Sequence, residues 1–126
     1  MKEKEIKFSI ITVCYNSVNT IRKTIESVNN QTYKNLEYII IDGGSSDGTL
    51  DLIDQYKDHI DVLVSEPDNG IYDAFNKGVK LATGDYISIL SSDDTYNIDT
   101  LELVLKCCKT NPNALLYGDT YFIDEN

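Results

Sequence analysis

Four short apolar runs, "FSIITVCY" (8–15), "LEYIIID" (36–42), "DVLVS" (61–65) and "GDYISIL" (84–90), alternate with stretches in which apolar residues return at helical spacing. Unbroken runs of Ile, Val and Leu suit strands buried on both faces. Between them, Ile21, Ile25 and Val28 mark a first helix, with Asn and Ser of "NSVNT" available as caps. Leu50 and Ile53, with Tyr56 or Lys57, mark a second; Ile71, Phe75, Val79 and Ala82 a third; Ile98, Leu101, Leu105 and Cys108 a fourth. Gly84 stops the third helix and Pro112 follows the fourth. Strand and helix alternating through short connections predict an α/β fold: a Rossmann-like three-layer α/β/α sandwich around a mostly parallel sheet. The short third strand belongs nearer an edge. "ALLYG" and "TYFIDEN" read as two further strand-like runs.

A chain of 126 residues makes one domain, spanning 1–126, that buries roughly two thirds of its unfolded surface. Eleven Lys and Arg against 21 Asp and Glu give a net charge of -10, which repels nucleic acid and anionic lipid. An anionic ligand would need positive charge from elsewhere, and a divalent cation held by carboxylates supplies it. Three cysteines without C-x-x-C spacing suggest neither a zinc site nor a disulfide framework. They read as small apolar fillers in a reducing compartment. "MKEKEIK" is charged and "FSIITV" too brief for a signal or a span, so a cytoplasmic location is expected, with peripheral membrane association of a longer enzyme left open. The chain stops inside an extended run, and a fragment of a longer protein is expected.

In an open parallel sheet, ligands bind outside the carboxyl ends of the strands. Those ends carry Tyr15 and Asn16, Asp42, Asp68, and the adjacent pair Asp93 and Asp94. Tyr15 reads equally as a packed aromatic or as a platform for a base, and Asn16 more readily as a helix cap. Asp42 in "DGGSSDG" is either an ordinary turn residue or a carboxylate for a base or ribose, with glycines allowing close approach. The first turn, "CYNSVN", has no glycine, which disfavours a dinucleotide fingerprint. Gly44 occupies a position where a calcium loop needs an oxygen ligand. One of Asp93 and Asp94 could cap a following helix, but both together are better balanced by Mg²⁺ or Mn²⁺. Lys77 and Lys80 read as a solvated face, and His59 as a surface residue. Cys14 has no base near it in sequence to make it a nucleophile.

The succession "FSIITVCYN", "QTYKNLEYIIIDGGSSDGT", "DNGIYDAFNKGVKLATGDYISILSSDD" and "YGD" resembles the N-terminal, nucleotide-sugar-binding part of family 2 glycosyltransferases with the GT-A fold. The resemblance implies a base packed on Tyr15 with Asn16 beside it, and Asp42 accepting a hydrogen bond from the base, usually uracil. It implies a D-x-D-type motif at "SDD", with Asp93 by the ribose or sugar and Asp94 on the metal. Asp68 would line the donor pocket. Ser92 departs from the first position of D-x-D, and "GIYDAF" lacks a basic residue for phosphate, leaving Lys77 as the nearest substitute.

The reaction so implied is transfer of a sugar from a nucleotide-diphosphate donor, UDP-linked by expectation, to an acceptor hydroxyl with inversion, in cell-surface polysaccharide synthesis. The acceptor is a sugar or a lipid-linked sugar. The general base is expected beyond Asn126, since nothing marks Asp119 or Asp124 for that role, and little or no transfer is expected from these 126 residues alone. Two alternatives share the carboxylates: a sugar-nucleotide nucleotidyltransferase-like enzyme, which usually carries a glycine-rich basic loop after the first strand, and a non-catalytic nucleotide-binding module.

Overall fold

The computed structural model describes residues 5–110. The strands are β1 (Phe8–Cys14), β2 (Leu36–Asp42), β3 (Val62–Ser65) and β4 (Tyr86–Ile89). The helices are α1 (Ile21–Asn29), α2 (Thr49–Asp54), α3 (Ile71–Leu81) and α4 (Thr100–Thr110), with a 3₁₀ turn at Lys57–His59. The described strands form one parallel sheet in the order β3-β2-β1-β4. Every residue of β1 is buried, as are Glu37 to Asp42 of β2, because both central strands are covered on both faces. Ile21, Ile25 and Val28 of α1, Leu52 and Ile53 of α2 and Leu101 of α4 pack on one face, and Ala74 of α3 on the other. This is the expected three-layer sandwich, with β3 at an edge. "ALLYG", "TYFIDEN", Pro112, Asp119 and Asp124 lie outside the described residues.

Helix α3 presents only part of the face its periodicity predicts: Phe75 and Ala82 pack on the core. Ala74 and Gly78 are buried, whereas Ile71 and Val79 are exposed. The cause is steric. A Cβ built on Gly78 would sit 2.5 Å from Ile11 Cγ2 of β1, so the helix lies closer to the sheet than a larger residue allows. The smallest side chains therefore turn inward. Gly78→Val is expected to destabilise the protein by about 1–3 kcal/mol through overpacking, read as a lowered Tm.

Helix α4 starts at Thr100, after Ile98 and after an irregular stretch that follows Asp93 and Asp94. Neither aspartate caps it. The Leu101 amide instead donates to Gln31 Oε1 at 3.0 Å. Helix α1 is likewise not capped by the side chain of Asn16. The Ile21 amide donates to the Ser17 carbonyl, and Asn16 is engaged elsewhere.

Candidate functional site

From β1 the chain steps outward to β2 and β3, then crosses back to place β4 on the other side of β1. The connections at the carboxyl ends of β1 and β4 therefore diverge, which opens a crevice at this switch point. A cleft of about 760 Å³ lies there. Tyr15, Asn16 and Ser17 line it from β1, Asp68, Gly70 and Ile71 from the β3–α3 connection, and Ser92 and Asp93 from the end of β4.

The β1 end is held by its neighbours. Asn16 takes a left-handed conformation, φ 48, which Asn tolerates better than most residues. Its amide donates to Ser45 Oγ at 2.8 Å, and its Oδ1 accepts the Ser46 amide at 2.9 Å. The loop after β1 is thus stitched to the loop after β2, leaving the preceding Tyr15 65% exposed at the cleft. Asp47 adds a stitch by accepting the Val18 amide at 3.2 Å. Ser17 and Ser92 share a hydroxyl–hydroxyl bond of 2.9 Å that ties the β1 end to the β4 end. Ser92, the departure from D-x-D, is therefore a bridge across the switch point.

Asp42 is fully buried and does not line the cleft. Its Oδ2 accepts the Gly44 and Ser45 amides at 3.0 and 2.9 Å and the Ser65 hydroxyl at 2.8 Å. Its Oδ1 accepts the Ser45 hydroxyl at 2.5 Å and the Cys14 thiol at 3.3 Å. Burial pushes this carboxyl up, but the Ser45 hydroxyl and amide, with Ser65 and Cys14, outweigh it and hold the group below its ordinary range. The resemblance implies that Asp42 accepts a hydrogen bond from a base; in the structure its oxygens already accept from five donors of its own chain. Burial, together with the Asp42 charge, pushes the Cys14 thiol far up, so Cys14 is no nucleophile here.

Asp68 packs against Gly43, where a Cβ would come within 2.8 Å of its Oδ2. The glycine therefore admits a carboxylate of this chain to the loop. Asp68 Oδ1 accepts the Gly70 amide at 3.1 Å, which fixes the turn into α3. Asp93 and Asp94 are exposed. Asp93 lines the cleft, whereas Asp94 is bonded through its backbone to Ser91 and Thr24. No described Lys or Arg lines the cleft. Lys77 is held by Glu66 at 3.0 Å and Asp73 at 3.6 Å, and hydrogen bonding to Glu66 raises its pKa. His59 is exposed in its 3₁₀ turn.

Among the described residues no three His, Cys, Asp or Glu side chains cluster as a complete metal cage. Two adjacent exposed carboxylates nevertheless suit Mg²⁺ or Mn²⁺ held jointly with phosphate oxygens, because such ions often take only one or two protein carboxylates. Of the six site residues read from the sequence, Tyr15, Asn16, Asp68 and Asp93 line the cleft and Asp42 and Asp94 do not; the sequence reading leaves out Ser17, which lines it, and Ser45 and Asp47, which hold the loops beside it. Their signal was the density of short polar residues in "NSVN" and "GGSSDG", which also marks any loop.

A four-stranded parallel sheet flanked by helices, with a cleft at its switch point, is an α/β domain, and its similarity to solved glycosyltransferase structures makes its fold GT-A. Residues 9–126 match glycosyl transferase family 2, and the chain belongs to that family. It is 35% identical over 119 residues to the UDP-Glc:alpha-D-GlcNAc-diphosphoundecaprenol beta-1,3-glucosyltransferase WfgD of Escherichia coli, covering 94% of this chain and 47% of the relative. S. aureus TarS 1-349 in complex with UDP-GlcNAc superposes with a TM-score of 0.78 at 25% identity, covering 85% of this chain and 32% of that one. The mannosyltransferase PcManGT from Pyrobaculum calidifontis, solved with GDP-Man and Mn²⁺, gives 0.76 at 25% identity, covering 83% and 33%. The chain spans about half the length of the curated relatives it matches.

Proposed function

We propose that this chain binds the nucleotide-diphosphate sugar, UDP-linked, of a glycosyltransferase that works with a divalent cation and transfers the sugar to an acceptor hydroxyl with inversion. The carrying observation is the composition of the cleft: an exposed aromatic and carboxylates, with no described cationic side chain. A diphosphate entering it meets negative charge, so its neutralising cation must arrive with it. TarS bound to UDP-GlcNAc, PcManGT bound to GDP-Man and Mn²⁺, and the lipid-linked acceptor in the name of WfgD support this reading.

Tyr15 stacks on the base, held in place by the bonds of Asn16 to the β2 loop. Asp42 acts through that loop, fixing Gly44 and Ser45, and not by free oxygens of its own. Asp68 lines the donor pocket, and Asp93 faces the ribose or sugar. Asp94, with Asp93 beside it, holds the cation, which when bound neutralises the diphosphate and stabilises it as a leaving group. The acceptor, a sugar or lipid-linked sugar, is consistent with cell-surface polysaccharide synthesis.

Tyr15→Ala tests the base platform. Stacking of a base on an aromatic contributes about 1–3 kcal/mol, so UDP affinity measured by calorimetry is expected to fall roughly 5- to 150-fold. An unchanged affinity rules out stacking on Tyr15.

A further inference from the structure

The segment between β4 and α4 carries Asp93 and Asp94 and has no regular secondary structure. Its backbone polar groups therefore need partners from outside helix or sheet. They find them along one side of α1. The Thr24 hydroxyl donates to the Asp94 carbonyl at 2.6 Å. The Tyr96 amide donates to Ser27 Oγ at 3.2 Å. Gln31 Nε2 donates to the Asn97 carbonyl at 2.6 Å, while its Oε1 accepts the Leu101 amide at 3.0 Å. Just beyond, the Thr32 amide donates to the Ile98 carbonyl at 3.0 Å.

Thr24, Ser27 and Gln31 recur at intervals of three and four, so they share one side of the helix and its C-terminal extension, beside the apolar face of Ile21, Ile25 and Val28. They are also bonded to one another: Ser27 Oγ donates to the Thr24 carbonyl at 2.7 Å, and Gln31 Nε2 to the Ser27 carbonyl at 3.0 Å. Thr24 and Gln31 are fully buried, so these polar groups have no solvent to turn to. Helix α1 is thereby a template for the path of the acidic segment.

We propose that Thr24, Ser27 and Gln31 are positioning residues, a polar rail that holds Asp94, and Asp93 beside it, where a cation and diphosphate can be bound. This rests on the donor-binding reading above. The contact nearest the acids is Thr24 to the Asp94 carbonyl, and removal of its hydroxyl frees the backbone of the proposed metal residue itself. A polar group that only supported the fold would change stability without singling out metal-dependent binding.

The test is calorimetry of UDP in MnCl₂ and in EDTA on the wild-type protein, Thr24→Val, Thr24→Ser and Ser27→Ala. Thr24→Val is expected to weaken UDP binding in Mn²⁺ about tenfold, the lower range for loss of a partner that orients a metal ligand. Its affinity in EDTA should stay at the wild-type value, and Thr24→Ser, which restores the hydroxyl, should recover binding in Mn²⁺. Should Thr24→Val not fold, Ser27→Ala carries the same expectation, with faster amide exchange at Tyr96. A lowered Tm with unchanged affinity in Mn²⁺, or equal weakening in Mn²⁺ and EDTA, overturns the rail. Failure of the donor-binding reading is visible separately: the wild-type protein itself would then bind no UDP in either buffer, and the rail's proposed role falls with it.

Discussion

Asp42→Ala is expected to destabilise the protein by about 3–5 kcal/mol, because it removes one acceptor from five donors at a fully buried position. That is a large part of the roughly 5–15 kcal/mol by which domains are ordinarily stable. Urea denaturation should show the midpoint shifted far down. The same carboxylate makes stability depend on pH. Its folded pKa lies below the ordinary 3.8, so its contribution is present in full above that value and is lost as pH falls below it through the lower folded value. Glu37 acts with the same sign: burial pushes it up, but the hydroxyl of Ser9 and the amide and hydroxyl of Thr83 outweigh this and lower it. The wild-type protein should therefore lose stability most steeply below about pH 4. Asp42→Asn, which does not titrate, should flatten that limb.

The second large effect concerns binding. Asp94→Asn keeps the side chain's size and removes its charge, and it is expected to abolish the Mn²⁺-dependent part of UDP binding. Loss of a direct ligand should cost at least the roughly 10–100-fold that follows loss of a supporting partner. Asp94 contributes to the loop through its backbone amide and carbonyl, which the substitution leaves in place, so Tm should barely move. A large fall in Tm with intact Mn²⁺-dependent binding would assign Asp94 to architecture and not to the cation.

The layers of the fold were legible because β1 and β2 are buried on both faces, and such strands announce themselves as unbroken apolar runs. The inward face of α3 was legible only at Phe75 and Ala82. Periodicity ranks residues by apolarity, whereas the approach of α3 to Ile11 selects for the absence of a side chain at Gly78. The cleft wall was legible at the end of β1, where Tyr15 and Asn16 follow the strand. Asp42 shows why such a reading stops short. A carboxylate at a strand end can face a ligand or its own loop, and the choice depends on donors that arrive from Ser45 and from Ser65 on β3. The capping role offered to Asp93 or Asp94 failed for a similar reason, because Gln31, some seventy residues earlier in the chain, takes the α4 amide. Contacts between distant segments leave little trace in local pattern.

On the proposed function, the cleft binds a nucleoside diphosphate together with a divalent cation. Calorimetric titration of the protein with UDP, once with MnCl₂ and once with EDTA, tests it most directly. Saturable binding at least about tenfold tighter with Mn²⁺ is expected. Equal affinity in the two buffers would contradict the role given to the cation, and no binding in either would contradict the donor site itself.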